Sequence, residues 1–160
     1  MLRYLLCTCF ILIMSLRVAY ASGPTDMVGA ETPNGKIAVT FLDMCFNQHK
    51  PGEAFDLYVH KDYRNKYMGG PRLIENNNFE GQKAAEIRVF GGPRSQGMSV
   101  DIKKVVSSED FVMIQGLAKG SPDATGSHLW VLYRFKDGKI IEHWDIHNDL
   151  PENSDPELYF

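Results

Sequence analysis

The sequence predicts a single α+β domain in which about three helices pack against one face of an antiparallel sheet. Up to residue 90, apolar side chains recur every three or four positions, which is the spacing of one helix face. After Gly97, apolar and polar side chains alternate, as they do in strands with one buried face. Asp137-Gly138, between two such strands, is the strongest hairpin signal in the chain. The predicted order is therefore helices first and an antiparallel meander second.

Capping and breaking residues place the helices. Three helices are predicted, at residues 34–47, 53–59 and 80–90. Asn34 is a suitable N-cap for the first, and Pro51 suits the first turn of the second. Gly91 follows the third helix, where a glycine commonly ends one. Residues 60–78 are rich in Gly, Pro and Asn, and are predicted as a loop with one short strand.

The second half of the domain is predicted to be a four-stranded meander. Its strands are placed at residues 99–106, 111–119, 127–136 and 139–148. The segments that join them are rich in Gly, Ser, Pro and Asp, which are turn-forming residues. Because side chains two positions apart share a face, the facing of any strand residue depends on the register of its pairing.

The N-terminus has the pattern of a cleavable signal peptide. Residues 4–14 form an apolar run, and Ala19-Tyr20-Ala21 matches the small-x-small cleavage rule. The run is shorter than the roughly 20 residues that span a bilayer, and an uncleaved anchor is the alternative. We therefore expect a secreted or periplasmic protein without membrane contact after cleavage. The predicted segments are a signal peptide at residues 1–21, a flexible leader at residues 22–33 and the folded domain at residues 34–160.

Composition narrows the classes of partner. The 160 residues suffice for one domain, and the formal net charge of −3 comes without a dense Lys/Arg segment. A nucleic-acid partner is therefore not expected. Cleavage after Ala21 would leave Cys45 as the one remaining cysteine, so no disulfide can form within the domain. Cys45 lies in an apolar stripe and is predicted to be a small buried hydrophobe.

Several segments together resemble a known family. Residues 133–145 read Tyr-Arg-Phe-Lys-Asp-Gly-Lys-Ile-Ile-Glu-His-Trp-Asp, and residues 46–54 read Phe-Asn-Gln-His-Lys-Pro-Gly-Glu-Ala. Residues 119–123 and 151–154 add a Lys-Gly-Ser-Pro-Asp link and a Pro-Glu-Asn-Ser tail. In this order they resemble the SnoaL-like branch of the nuclear-transport-factor-2-like (NTF2-like) superfamily, over roughly residues 36–160.

The resemblance implies a cone-shaped domain, in which a curved sheet and its helices enclose an apolar pocket. It also implies a homodimer formed through the outer sheet surface. Polyketide cyclases of this family catalyse an intramolecular aldol condensation without a metal or an organic cofactor. The resemblance therefore implies a cofactor-independent lyase or isomerase that acts on a carbonyl compound. Asp145 matches their acid/base aspartate, and Tyr63 fits the motif after the second helix. Lys66 stands where relatives carry histidine, and Asn65 where they carry glutamine.

Elementary chemistry is consistent with these assignments. Removing a proton next to a carbonyl needs a base in a dry site and a donor for the enolate oxygen. Asp145 would be the base if it faces the pocket, although an outward facing is the alternative. Lys66 and Tyr63 are the predicted catalytic donors, although Lys66 could instead project into water. The predicted substrate-binding residues are Asn65, Trp130, His143 and Trp144.

Two other interpretations stay open. His143, Asp145 and His147 would share one face of a strand, as a metal site could require, but the two histidines would lie roughly 13 Å apart on an undistorted strand. No metal site is therefore predicted. The second interpretation is a non-catalytic module, which binds a small hydrophobic ligand in the same pocket or a partner on its sheet face. For the enzyme, the expected ligand is a small apolar carbonyl compound.

Overall fold

The computed structural model describes residues 25–66 and 77–160. The predicted signal peptide therefore lies outside the described residues. The helices are α1 (Pro33–Phe46), α2 (Pro51–Tyr58) and α3 (Phe79–Phe90), and the strands are β1 (Val59–Asn65), β2 (Ser99–Ser107), β3 (Phe111–Lys119), β4 (Ser127–Lys136) and β5 (Lys139–Asp149). Short 3-10 helices cover Thr25–Glu31, Pro93–Ser95 and Pro156–Tyr159. None of the described helices is long and apolar enough to cross a membrane.

The five strands form one sheet in the order β1-β5-β4-β3-β2. Strands β2 to β5 pair antiparallel, as predicted. Strand β1 pairs with β5 in parallel, so the sheet is mixed and the prediction of a wholly antiparallel sheet was wrong. A parallel pair needs a long crossover, and here helix α3 and the rest of the meander supply it. The α+β class, with three helices packed on one sheet, is confirmed.

The start of the domain is more ordered than predicted. Helix α1 is capped by Thr32 instead of Asn34, because the Thr32 hydroxyl accepts a hydrogen bond from the Gly35 N–H at 3.0 Å. Residues 25–31, predicted as flexible leader, form a 3-10 helix against β2. Gly29 allows this close approach, since a Cβ there would lie 2.6 Å from the Val105 carbonyl oxygen.

The core lies between the helices and one face of the sheet, here called the inner face. Aromatic rings connect the layers edge to face. Phe41 of α1 meets Tyr133 of β4 with ring centroids 5.8 Å apart, and Phe55 of α2 meets Tyr63 of β1 at 5.6 Å. These contacts fix the two tyrosines on the inner face, because all four rings are buried.

The hairpin between β4 and β5 contains a β-bulge that sets the facing of β5. Asp137 and Gly138 both have positive φ, as a two-residue type I′ turn requires. Phe135 pairs with Ile140 and Arg134 pairs with Glu142, so Ile141 is an extra residue in β5. After Ile141, the alternation of inward-facing and outward-facing side chains along β5 is shifted by one position. Consequently, His143, Asp145 and His147 lie opposite the inward-facing residues of β4.

Candidate active site

A cavity lies between helices α1 and α3 and the inner face of the sheet. Its open space is about 60 Å³, room for a few water molecules or a small organic group. The apolar lining residues include Phe41, Leu42, Phe46, Phe90, Leu129 and Val131. The polar lining residues are Tyr63, Glu86, Tyr133, His143, Asp145 and His147. Apolar walls with a few convergent polar groups are typical of small-molecule sites.

Asp145 enters the cavity from β5, opposite Val131 of β4. Its side chain is 16% exposed, and Oδ2 accepts a hydrogen bond from His147 Nε2 at 3.1 Å. The other oxygen, Oδ1, is buried and accepts no hydrogen bond from any residue that the structure describes. The His143 ring nitrogen Nε2 lies 3.7 Å from Oδ1, which is too far for a hydrogen bond. Burying an acceptor without a hydrogen-bond donor costs free energy, so a ligand that donates to Oδ1 would be stabilised there.

Tyr63 and His143 are joined inside the cavity. The Tyr63 hydroxyl lies 3.0 Å from His143 Nδ1. Burial raises the pKa of Tyr63 well above its usual value and lowers the pKa of His143. Because the tyrosine keeps its proton and the imidazole is neutral, we infer that Tyr63 donates to Nδ1. His143 then carries its hydrogen on Nε2, which faces Asp145.

Glu86 is a functional candidate that was not predicted from the sequence. It lies on the buried side of α3, four residues after Gln82 and four before Phe90, and lines the cavity. Burial, together with the negative charge of Asp145, raises the pKa of the Glu86 carboxyl from 4.5 to about 8. Among the described residues, none donates a hydrogen bond to this carboxyl or forms an ion pair with it. Its signal in the sequence was a glutamate in the apolar stripe of a helix, where a charge is unusual.

Comparison with known sequences assigns the chain to a family. Residues 38–143 match the profile of the SnoaL-like domain, which covers more than half of the chain. The chain belongs to the SnoaL-like family. No curated protein matches the sequence at a significant level.

Solved structures share this fold at low identity. A candidate SnoaL-like polyketide cyclase from Jannaschia sp. CCS1 has a TM-score of 0.60 and 17% identity, over 78% of this chain and 92% of that one. An NTF2-like protein of unknown function from Mesorhizobium loti has a TM-score of 0.58 and 16% identity, over 79% and 97%. An LEH-like epoxide hydrolase from M. tuberculosis has a TM-score of 0.53 and 14% identity, over 72% and 83%. These likenesses support the fold alone, because one fold hosts several chemistries.

Two predicted substrate-binding residues of this SnoaL-like chain lie away from the cavity. Trp130 pairs with Ile146, and Trp144 pairs with Leu132. All four therefore lie on the opposite side of the sheet from Asp145, here called the outer face, because successive side chains alternate. They line a shallow apolar hollow there. The structure thus corrects the placement of both tryptophans, whereas His143 does lie in the cavity.

Lys66 and Asn65 do not line the cavity either. The Lys66 side chain is 46% exposed, and its ammonium group lies 3.8 Å from the Glu142 carboxylate. The Lys66 side chain therefore projects into solvent, which was the alternative interpretation. It does not lie beside Asp145. Asn65 is buried, but its amide donates to Gln82 Oε1 at 3.2 Å and so connects β1 to α3. Of the predicted residues, Tyr63, His143 and Asp145 come together.

The same face also carries the residues that were considered as metal ligands. His143, Asp145 and His147 do share the inner face. Among the described residues, however, no three His, Cys, Asp or Glu side chains are grouped so that they could hold a metal ion. Cys45 lines the cavity as a buried thiol, and burial raises its pKa well above the usual value. The thiol therefore stays protonated and contributes apolar surface.

Proposed function

We propose that this SnoaL-like protein performs cofactor-independent acid/base chemistry on a small carbonyl compound, with Asp145 as the base. The observation that carries the proposal is the position of Asp145 Oδ1, which is buried in a largely apolar cavity without a hydrogen bond from any described residue. A carboxylate oxygen in such a site is close to its substrate and weakly solvated, as a general base needs to be.

The neighbours of Asp145 prepare it for this role. His147 donates to Oδ2 and orients the carboxylate, so that Oδ1 is the oxygen left to remove a proton. The Nε2–H of His143 lies near Oδ1, with Nε2 at 3.7 Å, and directs a polar hydrogen toward the carboxylate. Tyr63 holds the His143 ring through Nδ1, and the tilted Tyr133 ring packs against it with ring centroids 5.3 Å apart. The base is thus held by two strands and by the aromatic core.

Abstraction of the α-proton by Oδ1 leaves an enolate. If the proton returns to a different carbon, the reaction is an isomerisation. If the enolate carbon attacks a second carbonyl group, it is an aldol condensation, and the proton held by Asp145 passes to the new alkoxide. The cavity bounded by the described residues fits a small ketone or diketone better than a fused polycyclic one.

Exchange of α-protons with heavy water, followed by NMR, tests the proposal directly. The protein from residue 22 onward would be incubated with a panel of small diketones and cyclic ketones. We expect exchange that is lost in Asp145→Asn and kept in Asp149→Asn, which changes an exposed aspartate of the same strand. Equal exchange in the native protein and Asp145→Asn would contradict the role of Asp145. No exchange above buffer would favour the non-catalytic ligand-binding module, for which a thermal-shift screen is the next measurement.

We also propose that two copies associate through the outer face. The support is a continuous apolar area at Trp130, Leu132, Trp144 and Ile146, of which Ile146 is 57% exposed. Large exposed apolar areas commonly mark interaction surfaces. Sedimentation velocity of the protein would show a dimer, and a monomer at high concentration would contradict this assignment.

Export remains a proposal that rests on the sequence pattern of residues 1–21. Mass spectrometry of the protein recovered from an expressing cell would give the mature N-terminus. A start at Ser22 is expected, and a protein that retains Met1 would contradict it.

A further inference from the structure

The proposed function uses one carboxyl group, but the cavity contains two. Asp145 enters from β5 and Glu86 enters from α3, so they approach the enclosed space from different structural layers. Phe46 and Phe90, whose ring centroids are 4.4 Å apart, pack α1 against the end of α3 and help to enclose this space. A small molecule in the cavity would therefore lie between a sheet carboxyl and a helix carboxyl.

The two carboxyl groups have unequal surroundings. Asp145 receives a hydrogen bond from His147 and lies beside the His143 imidazole. Glu86 receives no hydrogen bond or ion pair from any residue in the part of the chain that the structure describes. Two carboxylates in one small apolar space repel each other, so one of them tends to hold a proton. Since only Asp145 has donors to stabilise its charge, the proton is expected on Glu86.

We propose that Glu86 is a second catalytic residue, a protonated acid that donates to the carbonyl oxygen of the substrate while Asp145 removes the α-proton. This inference rests on the proposed function and adds the group that stabilises the enolate. The elevated pKa of Glu86, about 8, agrees with it, because the acid then keeps its proton at neutral pH.

The proton and electron changes balance without a co-reactant. The α-carbon–hydrogen bond breaks and its proton passes to Asp145 Oδ1. The electron pair of that bond forms a carbon–carbon double bond, and the π pair of the carbonyl group takes the proton of Glu86. The products are an enol, a protonated Asp145 and a charged Glu86. In an isomerisation, Asp145 returns its proton to another carbon and the enol returns its proton to Glu86, so both residues are restored.

The pair also defines the substrate class. A substrate carrying a carboxylate or phosphate next to the reacting centre would meet the charged Asp145 carboxylate in a largely apolar cavity and be repelled. The ligand is therefore an uncharged ketone or β-diketone, whose oxygen points toward α3 and whose α-carbon points toward β5. Its remaining part contacts the phenylalanine-rich wall.

The test compares Glu86→Gln with Glu80→Gln in the α-proton exchange assay. Glutamine keeps the shape and a weak donor but cannot give up a proton, and Glu80 is an exposed glutamate in the first turn of the same helix. We expect exchange to fall about 100-fold in Glu86→Gln and to stay unchanged in Glu80→Gln, which is the usual range for the loss of a general acid. In the native protein the rate should decline above pH 8, and this decline should be absent from Glu86→Gln.

A second readout does not depend on activity. With glutamate labelled at the side-chain carboxyl carbon, NMR should show one resonance that titrates near pH 8 and disappears in Glu86→Gln. In Asp145→Asn it should titrate at a lower pH, because the repelling charge is gone.

The outcomes separate the two proposals. Exchange that needs Asp145 but is unchanged in Glu86→Gln would overturn the role of Glu86 and leave the proposed function standing. No exchange in any protein would overturn the proposed function and the catalytic role of Glu86 with it. Glutamate resonances that all titrate below pH 6 would overturn the acid assignment even if Glu86→Gln failed to fold.

Discussion

Replacing Glu86 by glutamine should make the protein more stable than the native form at alkaline pH. Unfolded, the Glu86 carboxyl loses its proton at about pH 4.5, whereas folded it keeps the proton until about pH 8. Between these values the folded state binds more protons than the unfolded state, so the free energy of unfolding falls as pH rises. Glutamine is neutral throughout and is not subject to this loss.

The magnitude follows from the two pKa values of this carboxyl. Each pH unit between them removes up to about 1.4 kcal/mol, which gives a ceiling of about 3.5 kcal/mol between pH 5 and pH 8. The Glu86 residue is half-buried and keeps part of its hydration, so we expect about half of this ceiling, on the order of 2 kcal/mol.

Urea unfolding, followed by tryptophan fluorescence from pH 5 to pH 8.5, measures the effect. The difference in free energy of unfolding between Glu86→Gln and the native protein should move by about 2 kcal/mol in favour of the variant as pH rises. Glu80→Gln, on the exposed side of the same helix, should run parallel to the native protein. A difference that stays constant within about 0.5 kcal/mol across this range would refute the reasoning, because Glu86 would then ionise alike in both states.

Two further substitutions test other parts of the description. Tyr63→Phe removes the donor to His143 Nδ1 and should lower the free energy of unfolding by about 1–3 kcal/mol. Nitrogen NMR of His143 should then show a changed tautomer balance, and an unchanged one would show that Tyr63 does not fix it. Ile146→Ser places a hydroxyl on the outer face and should weaken self-association at least tenfold, while the exchange rate stays within twofold of native. A dimer of unchanged affinity would exclude this face as the interface.

Local patterns predicted most of the sheet. Strands β3 and β4 occupy the predicted residues. Strand β4 alternates between buried and partly exposed side chains along most of its length, whereas residues 114–118 of β3 are all buried. Strand β1 was placed only as one short strand within a loop. Only its first, fifth and seventh residues are buried, and it lies at the edge of the sheet, so apolar alternation is weak there. Its parallel pairing with β5 joins residues about 80 positions apart, which no local pattern indicates.

The candidate site was predicted in part, for reasons that differ between residues. Asp145 and His143 came from the family resemblance, but their facing depends on the extra residue Ile141, which is seen in the pairing and not in the motif. The same shift places Trp144 on the outer face, against the prediction. Glu86 was not predicted because helix α3 is only weakly amphipathic. Its buried face was therefore not clear from the sequence, and neither was the presence of a charged residue on that face.

The extra residue in β5 has a consequence for sequence comparison across the family. Side chains of β5 alternate between two sets, and the extra residue Ile141 determines which set faces the cavity. One residue inserted or lost between Gly138 and Glu142 would turn the other set toward the cavity. Glu142, Trp144 and Ile146 would then turn inward, and the polar set would turn outward. An alignment that opens a gap in this short segment would carry an acid/base role to a neighbouring position with the opposite orientation. In distant relatives, the site residues are therefore best aligned from the C-terminal end of this strand. Between that end and the bulge, the alternation of inward-facing and outward-facing side chains is not interrupted.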